Sequence, residues 1–147
     1  MTALKLAHVF LAILTFGSNL SYPLWRAMGE RDPQHLAFVI RGIKWIDRHV
    51  TNPAYLLLLV TGGALALLLE VPLTRAWLWL GVGLYVVALV LGYFVYAPVV
   101  RRELAALERG GVRDPDYRRW RARSNALGVV TSLIVLTILV LMVTKPF

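Results

Sequence analysis

The sequence predicts an all-α, polytopic membrane protein: a four-transmembrane-helix, up-and-down bundle with an interfacial helix in its first inner loop. Three observations carry that expectation. Apolar residues make up 59% of the 147-residue chain and charged residues only 16%, whereas soluble domains sit near ~45–50% and ~25%. A soluble fold of this size exposes too much surface to hide so much hydrocarbon, and mean hydropathy is +0.66. The apolar residues gather in four stretches, about 4–27, 53–69, 76–100 and 125–143, each close to the roughly 17–25 residues that a helix needs to cross a bilayer. Backbone polar groups find no water there, so the stretches must be helices. The alternation of a barrel strand is absent. One transmembrane domain over residues 1–147 follows.

The first stretch carries His8, Asn19 and Pro23 and is followed by no small-residue cleavage site, which makes it a retained span. Asp32-Pro33 is a helix start. Leu36, Val39, Ile40, Ile43 and Ile46 recur at helical spacing with Arg41, Lys44 and Arg48 off the stripe. That pattern predicts an interfacial helix from Pro33 to about His49, with Trp45 at headgroup depth. Thr51-Asn52-Pro53 would restart the chain, with Asn52 as cap of the second span. A short turn, Val71-Pro72-Leu73-Thr74, joins spans two and three, Gly110-Gly111 breaks the helix after span three, and Asp114-Pro115 opens the next. Each span has a face of small residues. These are Gly17 and Ser21; Gly62, Gly63 and Ala66; Gly81, Tyr85, Ala88, Gly92 and Tyr96; and Ser124, Gly128, Thr131 and Val135. In lipid, small residues mark where helices approach, so Gly62, Gly81, Gly92 and Gly128 are expected packing points.

Net charge is +8, and thirteen of the sixteen Lys and Arg residues fall in segments 26–50 and 101–124. Positive charge stays on the cytoplasmic side. Both termini should then face outward across a cell (inner) membrane, with the two basic segments inside. Arg118, Arg119, Arg121 and Arg123 are expected to neighbour anionic lipid headgroups, and the basic loops are read as topological rather than as a nucleic-acid site. A homodimer or larger membrane complex stays open.

The absence of cysteine excludes thiol catalysis, thiolate zinc sites and cysteine-held clusters. No nucleophile–base set, phosphate loop or carboxylate pair lies in the spans, so no catalytic residue is assigned and an enzyme is not the favoured reading. His8 is the one ionisable side chain well inside a span, and Thr15, Asn19 and Tyr22 continue its face at offsets of seven, eleven and fourteen residues. Ionisable groups at that depth are functional candidates. His8 could ligate haem or a metal, handle a proton, or simply bond a neighbouring helix. His49 lies near the opposite surface, roughly 25 Å away along the first span, so it cannot share a haem with His8. Met142, near the level of His8, is the better of two weak partners, ahead of Tyr96. The remaining readings are an accessory subunit without a cofactor and a path for a metal or small solute along the polar seam.

The early intramembrane histidine, the Asp-Pro inner loop, Thr61-Gly62 and the closing Leu141-Met142-Val143-Thr144-Lys145-Pro146 resemble the domain of unknown function 2269 family of predicted integral membrane proteins, over nearly the whole chain. That family brings no established activity with it. Lys5-Leu6-Ala7-His8-Val9, Phe16 and the Pro23 region are also distantly similar to the first span of the bacterial four-helix protoporphyrinogen oxidase and copper-resistance D group. This likeness implies a haem or porphyrin contact at His8. That oxidase's third-span lysine and histidine have no counterpart between Trp77 and Leu91, so the oxidation itself is not implied.

Overall fold

The structure is a computed structural model that describes residues 1–72 and 74–146. The expected turn at 71–74 therefore falls partly outside the described residues, at Leu73. Every regular element among the described residues is helical. The chain divides into two compact units, Met1–Thr74 and Arg75–Phe147.

In the first unit, α1 (Thr2–Arg31) turns back at Asp32 into α2 (Pro33–Ile46), which continues through a π turn at Asp47–Thr51 into α3 (Asn52–Leu68). In the second, α4 (Ala76–Val90) continues through a π turn at Leu91–Tyr96 into α5 (Ala97–Gly110), and α6 (Pro115–Thr144) returns. Each unit is thus an antiparallel helical hairpin. Four continuous helices, of 30, 36, 35 and 30 residues, are long and apolar enough to cross a membrane. The longest measures about 54 Å at 1.5 Å per residue, against ~30 Å of hydrocarbon. Each helix therefore overshoots the apolar layer, and the surplus carries most of the arginines.

That surplus corrects one expectation. A helix does form where the interfacial one was expected, as α2, but it runs on into α3 without a break, and Asn52 does not cap a new span. Asn52 is helical and its N–H donates to Asp47 O, the i→i−5 bond of the π turn. The apolar stripe of α2 packs on α1, with Leu36 and Ile40 each 1% exposed. Gly29 lets the two helices approach, since a Cβ there would sit 3.1 Å from Leu36 Cδ1 and 3.3 Å from Val39 Cβ. In the second unit Val100, Leu104, Ala106 and Leu107 of α5 are buried with Tyr117 of α6. Both hairpins are packed most tightly at their basic ends, where water supplies a hydrophobic force that lipid does not.

Prolines explain both π turns. Inside an α-helix, proline lacks a donor and its ring clashes with the carbonyl four residues back. For Pro53 that residue is His49 and for Pro98 it is Phe94, and each lies within a π turn. The wider turn swings the carbonyl clear. Ala97 N–H donates to Gly92 O as Asn52 does to Asp47. The break expected at Gly110-Gly111 is present, with Gly111 at φ 72°. Asp114 Oδ1 then accepts from Asp116 N at 2.7 Å and starts α6 at Pro115, ten residues before the apolar stretch.

Candidate functional site

Helical spacing turns one face of α1 toward α3, and the polar residues of that face meet partners across the hairpin. His8 Nδ1 lies 2.8 Å from Thr61 Oγ1. Asn19 Nδ2 donates to Tyr55 OH at 2.6 Å and to its own helix at Thr15 O, 2.9 Å. Tyr22 OH is 2.7 Å from Thr51 Oγ1 and 3.4 Å from Asp47 Oδ1. The partner numbers fall as the α1 numbers rise, as antiparallel helices require. Thr15 departs from this pattern. It is 2% exposed, yet its hydroxyl donates back to Leu11 O and Ala12 O. The seam is therefore a ladder with a gap between His8 and Asn19, not a continuous chain of side-chain bonds.

The His8 rung has a defined polarity. Thr61 Oγ1 lies 2.8 Å from Leu57 O and 3.2 Å from Leu58 O, and two oxygens at that separation need a proton between them. Thr61 spends its single hydrogen there and can only accept from the ring. His8 Nδ1 thus carries the imidazole proton, and Nε2 is left with a lone pair. Gly62 seats the ring: a Cβ on it would stand 3.1 Å from His8 Cε1. Thr61-Gly62 is a cradle of one hydroxyl and one missing side chain.

The other predicted residues have contacts of their own within their units. Met142 belongs to the second unit, where its Cε packs on Gly81, 2.7 Å from the position of a Cβ. A Cβ on Gly128 would stand 4.0 Å from Tyr96 Cε2, whereas one on Gly92 would meet nothing within 4 Å. Gly92 instead accepts the bond that closes the second π turn. His49 stacks on Trp45 at 4.8 Å between ring centroids, and His35 Nδ1 pairs with Asp32 at 2.7 Å. Arg118, Arg119 and Arg123 are exposed and Arg121 is half-buried.

Glu103 went unrecognised in the sequence. It is 0% exposed and accepts from Ser124 Oγ at 2.6 Å. The signal was present, because Glu103 sits within the apolar stripe of Val100, Leu104 and Leu107. Among the described residues no group of three His, Cys, Asp or Glu side chains converges as a metal site.

A family model described as "Predicted integral membrane protein (DUF2269)" matches residues 2–146. The chain belongs to that family. No curated protein and no solved structure matches this DUF2269 member.

Proposed function

We propose that this integral membrane protein of four apolar helices binds a haem or related metallo-tetrapyrrole through His8 Nε2. The observation that carries this reading is the Thr61 hydroxyl, which holds the proton on Nδ1 and leaves Nε2 as a Lewis base. A hydrogen bond to the remote nitrogen is how ligating imidazoles are oriented and made more basic. A single imidazole can retain only a metal that brings its other ligands with it, and a porphyrin supplies four. Such a group, once bound, offers electron transfer or small-molecule binding at iron. This chain's own part is to fix the ring against Gly62 and keep it in one tautomer.

The arginine-rich ends of both hairpins are assigned to the cytoplasm and the termini to the outside of the inner membrane, with anionic lipid around Arg118, Arg119, Arg121 and Arg123. The test of the site is an absorbance spectrum of protein purified from haem-replete cells. A Soret band is expected, absent in His8→Ala and weakened about 10–100-fold in haem affinity in Thr61→Val. A colourless preparation that takes up no added haemin overturns the proposal. Co-purification of such a preparation with one stoichiometric membrane partner would favour an accessory subunit, and faster solute flux in liposomes than in empty vesicles would favour permeation.

A further inference from the structure

Trp120 of α6 carries two arginines. Arg102 of α5 and Arg123 of α6 each place Cζ 5.0 Å from the centre of its indole. The two guanidinium groups therefore lie no more than twice that distance apart, and they come from two different helices. Both are exposed, and among the described residues neither pairs with a carboxylate. Like charges repel, so gathering two of them on one ring without a counter-ion costs energy that cation–π contacts only partly return. An anion between or beside them would offset the rest.

Their depth says which anion. Arg102 follows the apolar stretch that ends at Val100, and Arg123 precedes the stretch that begins at Asn125. Two residues of helix are about 3 Å, so both charges stand at the edge of the hydrocarbon, where phospholipid phosphates lie and where indole rings prefer to sit. Arginine forks match phosphate oxygens in pairs. We infer that Arg102, Trp120 and Arg123 form a specific site for the phosphate of an anionic phospholipid headgroup. The site is independent of His8 but rests on the basic ends meeting an anionic leaflet. A label map placing segment 101–124 outside the cell would remove that premise without touching lipid binding measured in detergent.

The experiment titrates the full-length protein in detergent with phosphatidylglycerol and, separately, phosphatidylcholine, counting bound lipids by native mass spectrometry. The wild type should prefer phosphatidylglycerol. Arg102→Gln/Arg123→Gln should lose roughly 30-fold in that affinity, the weight of two phosphate-level charges. Arg109→Gln/Arg113→Gln removes the same charge from the far end of α5 and the following turn, and should change little. Arg102→Lys/Arg123→Lys keeps the charge and loses the planar fork, and should weaken binding several-fold. If the glutamine pair fails to give monodisperse helical protein, the lysine pair decides. Equal losses at both pairs of sites, full binding by the lysine pair, or preference for an oligonucleotide over either lipid would overturn the inference.

Discussion

Glycine has two different roles at the contacts of this protein, and the atoms it meets distinguish them. At Gly81 the neighbour is Met142 Cε, the far end of a flexible side chain that can swing away at small cost. At Gly62 it is His8 Cε1, 3.1 Å from where a Cβ would stand, on a ring held by Thr61. Gly81→Ala is therefore expected to leave detergent-solubilised thermal stability within about 1 kcal/mol, whereas Gly62→Ala should cost about 1–3 kcal/mol of overpacking strain and lower haemin uptake as well. Equal behaviour of the two variants in thermal unfolding and haemin titration would contradict this account of the cradle. At the opposite end of the hairpins, Ser124→Ala removes the donor that reaches the buried Glu103 at 2.6 Å. A loss of about 1–3 kcal/mol is expected, read as a lowered midpoint in the same unfolding assay.

The two π turns do more than accommodate proline. Each inserts one residue into an otherwise regular helix, and one residue is about 100° of rotation. In the first unit this sets the phase between the α2 stripe on α1 (Leu36, Ile40, Ile43) and the α3 ladder on the same helix (Tyr55, Thr61). Deleting Val50 would turn the segment into a plain α-helix with both faces still in phase, but would drive Pro53 into the carbonyl four residues back. That deletion should cost about 3 kcal/mol, and adding Pro53→Ala should restore most of it. Rescue would appear as recovered thermal stability and monodispersity in detergent, and its absence would mean that the turn does not act as a phase insertion. The same elements show where sequence reasoning stops. The four spans, the Gly110-Gly111 break and the Asp-Pro starts could be read because they depend on local chemistry and hydropathy. The continuity of α2 into α3 could not, because Thr51-Asn52-Pro53 looks like a stop unless a π turn is anticipated. Likewise the alignment of His8, Asn19 and Tyr22 follows from periodicity on one helix. Their partners across the hairpin depend on its register, which Asp32 and the π turn set together.

At the scale of the whole molecule, burial and charge point the same way. The stripes packed most tightly are found at the arginine-rich end of each hairpin, while large apolar side chains such as Leu20, Leu56, Phe94 and Leu133 are exposed along the spans. Exposed hydrocarbon is stable only against lipid, and close packing of apolar stripes is favoured where water pays the penalty for separation. Thirteen of the sixteen Lys and Arg residues lie at those packed ends. The proposed orientation sets them in the cytoplasm, where positive charge tends to be retained, and four crossings would then bring both termini to the outer side. The chain has no cysteine, so single cysteines can report the arrangement without a background. A membrane-impermeant maleimide should label Thr2→Cys and Thr74→Cys in intact spheroplasts, and Arg31→Cys and Arg109→Cys only after the membrane is opened. The reverse pattern would invert the orientation and place the arginines against the outer leaflet. Labelling of Arg31→Cys and Arg109→Cys from opposite sides would mean that one of the four apolar helices does not cross.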